Sequence, residues 1–201
     1  NTPIRHWIPN STQRHPFSPK VISNTVISSI AHASSCGVIK GGADSVWVDE
    51  TISPIVEKTE IAELLAREKV LSVIKSLPPE QEIPWVLGAD TVILFENEIY
   101  GKPQNQDEAF EFLKKFQGKT HTVITSLVLY NGRKKATTSK TCKTEVTFAP
   151  MSDEEIQWYV DTGEWHGAAG GYRIQSLASC FIQKLEGSYS CVIGLPIFEL
   201  Y

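Results

Sequence analysis

The chain has 201 residues and a mass of 22.4 kDa, with 41% hydrophobic and 21% charged residues, enough to bury a core without disulfides or a structural metal. Nineteen Lys and Arg against twenty-three Asp and Glu give a formal charge of −4 and a pI near 5.8. That excludes a sequence-wide cationic field for a nucleic-acid polymer or an anionic membrane.

The N-terminal stretch is punctuated by Pro3, Pro9, Pro16 and Pro19 and has no compact apolar segment, so it reads as irregular chain and not as a secretory leader. From Val21 to Ile39 no Lys, Arg, Asp or Glu occurs, but Ser, Asn, Thr and His break the run, which rules out a membrane span. Cys36, Cys142, Cys180 and Cys191 form no C-x-x-C pair; reduced thiols in the cytoplasm are expected. A first helix is predicted from Glu60 to Leu77, capped by Thr59, with Ile61, Leu64, Leu65, Leu71 and Ile74 inward and Pro78-Pro79 as the stop. Ile83 to Phe95 reads as a buried strand interrupted by a polar loop or bulge at Gly88-Ala89-Asp90-Thr91, which sets Asp90 beside a strand end.

Asn105-x-x-Glu108 caps a second helix, with Ala109, Leu113 and Phe116 on one side and Gly118 at its end. Thr122 to Tyr130 and Thr141 to Ala149 read as an antiparallel pair, with Asn131-Gly132 as a two-residue hairpin signal, so the sheet is predicted to be mixed. Ser152-x-x-Glu155 is a capping box for a helix that turns Ile156, Tyr159 and Val160 inward and ends at Gly163. Short strands are expected around Ile174 and from Phe181 to Leu185.

The chemistry-bearing residues are few. Gly101-Lys102 is followed by Pro103 without the glycines of a P-loop, no G-x-S-x-G elbow occurs, and His6, His15, His32, His121 and His166 show no zinc spacing. What remains is Asp49-Glu50, Lys69, Asp90-Thr91 and Lys102. Two acids and two lysines suit metal-assisted attack on a phosphate, the lysines neutralising charge on phosphoryl oxygens. On base rates alone, Lys69 is ordinarily a solvated helix residue and Asp90 ordinarily a turn former.

Val86-Leu87-Gly88-Ala89-Asp90-Thr91-Val92, Gly101-Lys102-Pro103 and Glu108-Ala109 together resemble the central signature of the Maf family of nucleotide pyrophosphatases. Asp49-Glu50, Leu65-Ala66-x-x-Lys69, and Gly118 with His121 and Thr125 are similar to further elements of that family. So are Tyr159-Val160-x-Thr162-Gly163-Glu164, Ala169-Gly170-Gly171-Tyr172-x-Ile174-Gln175, Gly187-Ser188-Tyr189 and Val192-Ile193-Gly194-Leu195-Pro196. The resemblance spans Val48 to the end, which separates a Maf-like core over 48–201 from a divergent segment over 1–47 that is expected to lie partly in the sheet.

The resemblance implies an α/β fold, a mixed, largely antiparallel-containing twisted sheet flanked by helices, with two lobes and a central cleft. It also implies hydrolysis of dTTP or UTP to the monophosphate and pyrophosphate with a divalent metal, Mg²⁺ or Mn²⁺. Carried over by motif, Asp90 is the proton acceptor, Lys69 and Lys102 contact phosphates, and Glu50 with Asp90 holds the metal. Thr91 and Gln175 mark the pyrimidine branch, and a Gln amide both donates and accepts, as a thymine or uracil edge requires. The implied partners are the nucleotide and, as family members are commonly dimers, a second copy.

One departure stands out. The family opens with a Ser-x-Ser-Pro-Arg-Arg loop roughly 20 residues ahead of the acidic pair, yet Ile22 to Ile39 contains no arginine. A charged hydrogen bond is worth about 1.5–3 kcal/mol, so its loss supports an alternative: a nucleotide-binding or interaction protein with impaired turnover. Arg5, Arg14 and Lys40 are candidates for compensating charge.

Overall fold

The computed structural model describes residues 57–78 and 85–201; Cys36, Asp49, Glu50 and the divergent segment lie outside them. The elements are α1 (Ile61–Ser76), β1 (Trp85–Phe95), β2 (Glu98–Tyr100), α2 (Gln106–Phe116), β3 (Thr120–Asn131), β4 (Ala136–Phe148), α3 (Asp153–Asp161), β5 (Ile182–Glu186), α4 (Tyr189–Ile193) and α5 (Ile197–Leu200). Five strands form one sheet in the order β2-β1-β3-β4-β5. Every pairing among the described strands is antiparallel, so the parallel component of a mixed sheet is not among them.

α1 covers one face. Its Ala66, Val70 and Val73 pack on Val86 of β1 and Val128 of β3, and its Ile61, Ala62 and Leu65 on Val92 and Ile124. The inward stripe differs from the one predicted: Leu71 is 51% exposed, while Ala62, Ala66 and Lys69 are buried. Small side chains face the sheet because the helix lies close to it at Gly88, where a Cβ would sit 2.6 Å from Val70 Cγ2 and 2.9 Å from the Ala66 carbonyl oxygen. Thr59 is not the cap. Glu60 takes that place with helical φ/ψ and no side-chain cap bond, its N–H bonding the Glu57 carbonyl at 2.8 Å, so the start of the helix extends a preceding turn instead of leaving an extended residue.

The opposite face carries α2, α3 and most of the aromatic core: Phe95, Tyr100, Phe116, Phe148, Tyr159 and Tyr172. α2 is capped by the Asn105 side chain, and α3 by the full Ser152–Glu155 capping box. Both buried stripes are those read from the sequence.

Three local expectations fail. β1 runs unbroken through Gly88-Ala89-Asp90-Thr91, in continuous register with β3 from Trp85↔Asn131 to Leu94↔Thr122. Gly88 makes room for α1 and Asp90 has an ion-pair partner, so neither residue needs a bulge. The β3–β4 turn has four residues, 132–135, since the Asn131 side chain accepts from the Arg133 and Lys134 N–H groups, both at 3.1 Å, and Lys135 adopts φ 49°. Around Ile174 there is no strand: Gly170 and Gly171 take φ of 68° and 75°, incompatible with extension, and 3₁₀ turns occupy Ala169–Gly171 and Leu177–Phe181. Among the described residues no helix is long and apolar enough to cross a membrane.

Candidate active site

Asp90 occupies the middle of β1, where strand alternation turns its side chain toward α1. There its Oδ1 accepts a charge-assisted hydrogen bond from Lys69 Nζ. The two residues retain only 6% and 3% exposure, in a helix–sheet contact whose other buried residues are apolar apart from Ser126, opposite Asp90 on β3. Lys69 is thus an inward helix residue and Asp90 a strand residue, each contrary to its ordinary role. A buried pair of this kind stabilises little relative to apolar side chains, because desolvating both charges offsets their attraction. Its presence in a valine- and alanine-lined contact points to chemistry.

Thr91, the next residue, faces the other side of the sheet. Its Oγ1 lies 2.9 Å from Thr125 Oγ1, which lies 2.7 Å from the Cys191 carbonyl oxygen at α4. Two places on from Thr91, Ile93 fills the space where a side chain on Gly170 would lie. The loop bearing Lys102 packs on this same face: the Gly170 N–H bonds the Gly101 carbonyl at 2.7 Å, and Pro103 lies against Gly171. Lys102 is half-buried, its carbonyl accepting from Gln104 Nε2 at 3.2 Å, and the Gln104 N–H bonds Glu108 Oε2 at 2.6 Å. The loop is therefore held at several points besides Pro103.

Gln175 is exposed in a turn. The residues around it are anchored by Glu164, whose Oε1 accepts from Ser176 Oγ at 2.5 Å and Oε2 from the Leu177 N–H at 3.1 Å. The Tyr159 hydroxyl accepts from the Arg173 N–H at 3.1 Å, and Arg173 Nε donates to the Glu164 carbonyl at 2.9 Å. Of these supports, Tyr159 is legible in the sequence as an inward helix residue and Glu164 as a motif position, whereas Arg173 falls at an unspecified position of its motif and carries no sequence signal.

The structure thus brings Lys69 and Asp90 together and turns Thr91 to the other face of β1, where Gly101 and Pro103, the neighbours of Lys102, pack on the Gly170–Gly171 turn. Glu50 lies outside the described residues. Among the described residues no group of three or more His, Cys, Asp or Glu could hold a metal ion. A single carboxylate suits an ion held jointly with substrate phosphates, the habit of Mg²⁺, better than an all-protein cage.

His121 belongs to the core. Its ring stacks among Phe116, Phe148 and Tyr172, its Nε2 lies 2.7 Å from the Tyr172 hydroxyl, and burial pulls its pKa down to about 3. Burial likewise pushes the Tyr172 phenol up, and the Cys142 thiol up to about 12 with help from Cys191. An open groove of about 510 Å³ between α2 and α3 is lined by Phe110, Trp158, Asp153, Glu154, Gln157 and Asp161. Its acidic rim repels a triphosphate, and none of the predicted site residues lies in it.

Comparison with known proteins places the chain among described relatives. The chain is 42% identical over 153 residues to a dTTP/UTP pyrophosphatase of Hydrogenovibrio crunogenus, covering 76% of this chain and 78% of the relative. It is 38% identical over 164 residues to a dTTP/UTP pyrophosphatase of Alkalilimnicola ehrlichii, covering 79% and 80%. A dTTP/UTP pyrophosphatase of a Thermoanaerobacter species matches at 40% over 137 residues, covering 68% and 70%. A family model described as Maf-like protein matches residues 36–201, a span that takes in the Lys69–Asp90 pair, the Lys102 loop and the Gln175 turn. The chain belongs to the Maf-like protein family.

Proposed function

We propose that the protein is a cytoplasmic nucleoside triphosphate pyrophosphatase that hydrolyses dTTP and UTP to the monophosphate and pyrophosphate. The observation that carries this reading is the buried Lys69–Asp90 pair in the middle of β1, within a chain whose relatives are dTTP/UTP pyrophosphatases. The water oxygen attacks the α-phosphorus, Asp90 takes up the water's proton, and the bond from that phosphorus to the bridging oxygen breaks, releasing pyrophosphate. Lys69 keeps the Asp90 carboxylate oriented, and Lys102, on its pinned loop, neutralises phosphate charge. Asp90 and Glu50 would hold Mg²⁺ or Mn²⁺, which when bound offsets the negative charge of the phosphates. Thr91 and Gln175 read the base edge, and a homodimer is the assembly to look for.

The test is pyrophosphate release from a panel of nucleoside triphosphates with Mg²⁺ or Mn²⁺. Product from dTTP and UTP that disappears in Asp90→Asn is the expected result. The lack of arginine between Ile22 and Ile39 favours a second reading, a nucleotide binder without efficient turnover. That reading predicts a raised melting temperature with dTTP or UTP but no product.

A further inference from the structure

Thr125 is fully buried on β3 and touches two oxygens, the Cys191 carbonyl at 2.7 Å and Thr91 Oγ1 at 2.9 Å. A carbonyl oxygen carries no proton, so the Thr125 hydroxyl donates to Cys191. A hydroxyl has one proton to give, so toward Thr91 Thr125 can only accept, and Thr91 must donate. The Thr91 proton therefore points inward, and its half-buried oxygen presents only lone pairs to anything that approaches it.

We propose that Thr125 is a positioning residue that fixes the polarity of the Thr91 hydroxyl, making Thr91 an obligate acceptor for the base of the substrate. The inference rests on the reading that Thr91 contacts the base, and it names what that contact selects. A pyrimidine whose ring N3 carries a hydrogen, as in uracil and thymine, presents a donor to Thr91. Cytosine at the same ring position presents a bare acceptor, and two acceptors facing each other leave both unpaired in a partly dry site.

The Cys191 carbonyl is itself held in place. The Cys191 N–H bonds Ser188 Oγ at 3.3 Å, the Ser188 N–H bonds Thr144 Oγ1 at 3.0 Å, and Cys191 Sγ donates to the Cys142 carbonyl at 3.4 Å. The carbonyl oxygen also accepts from the Gly194 N–H at 2.9 Å, so α4 holds it facing Thr125. The direction of the hydroxyl chain is thus set by backbone, not by the ligand.

The experiment measures, on the full chain, dissociation constants for UMP and CMP together with initial rates on UTP and CTP. It compares the wild type, Thr125→Val and Thr125→Ser. The wild type is expected to favour the uracil nucleotides. Thr125→Val keeps the shape but frees the Thr91 hydroxyl to turn its proton outward, so the uracil-over-cytosine ratio falls about tenfold, mainly through KM. Thr125→Ser restores the hydroxyl and the ratio. Should Thr125→Val melt without cooperativity, Thr125→Ala, which also lacks the hydroxyl, takes its place with the same expected fall. A wild-type enzyme active on UTP whose ratio is unmoved by removing the hydroxyl, or is lost in Thr125→Ser, overturns this inference alone. A wild type that binds neither monophosphate and releases no pyrophosphate overturns the functional reading along with it.

Discussion

Where α1 meets β1 and β3, the contact is built of alanine, valine, leucine, isoleucine and glycine with one buried ion pair set among them. Across the same strand the space is filled by rings, with His121 wedged between Phe116, Phe148 and Tyr172 and a hydroxyl chain from Thr91 to Cys191 alongside. Both faces bury polar groups. On the first these are the Lys69–Asp90 ion pair and the Ser126–Thr141 hydroxyls; on the second, hydroxyls and backbone satisfy one another from Thr91 to Cys191, while His121 Nδ1 and, beside Cys142, Glu199 Oε2 are buried without a hydrogen-bond partner. Neighbouring residues of a single strand thus place the buried ion pair on one side of β1 and the Thr91 hydroxyl chain on the other.

The sharpest way to break the comparison is at the charged side. Asp90→Asn is expected to lower kcat for dTTP by about 10²–10⁴-fold, the usual contribution of a positioned general base, as read by pyrophosphate release; a variant that turns over normally removes Asp90 from the chemistry. Lys69→Met leaves a buried carboxylate without its ammonium and is expected to cost about 3–5 kcal/mol in denaturant unfolding. The double variant Lys69→Met/Asp90→Leu should recover most of that stability while remaining inactive, which separates a functional pair from a structural one.

Smaller effects come from backbone fit. Gly170→Ala adds a methyl where Ile93 Cδ1 already lies, on a residue with φ 68°, and combines overpacking of about 1–3 kcal/mol with about 1–2 kcal/mol of left-handed strain. Gly88→Ala meets Val70 and the Ala66 carbonyl but has no such φ, so its melting temperature should fall less. The reverse order would mean that the helix contact is the more rigid of the two.

The neutral face carries its own pH signature. Burial holds the His121 pKa down to about 3 against an ordinary 6.5, so between those values the unfolded chain binds a proton that the folded one refuses. Stability is fully present above pH 6.5 and declines as pH falls toward 3, by about 1.4 kcal/mol per unit. His121→Phe should flatten that part of the unfolding profile. The mildest prediction concerns the thiols among the described residues: with Cys142 raised to about 12 and Cys191 buried, a thiol reagent at pH 8 should label exposed Cys180 in the native protein and leave Cys142 and Cys191 unlabelled, as read peptide by peptide by mass spectrometry.

Much of this was legible from one dimension. Capping boxes and helical stripes are local, so Asn105, Ser152, Ala109 and Tyr159 could be placed from spacing alone, and the ordered motifs carried the family. What local pattern could not convey was that Gly88 and Asp90 lie inside a strand, since their composition is that of a turn and only the approach of α1 reverses it. Nor could spacing orient Lys69, whose burial depends on a carboxylate 21 positions away. The tertiary structure alone decided that neighbours Asp90 and Thr91 point to opposite sides of the sheet and that Thr125 joins Thr91 to Cys191. Chemistry is written residue by residue, whereas the direction in which each group points is settled only when distant segments pack against it.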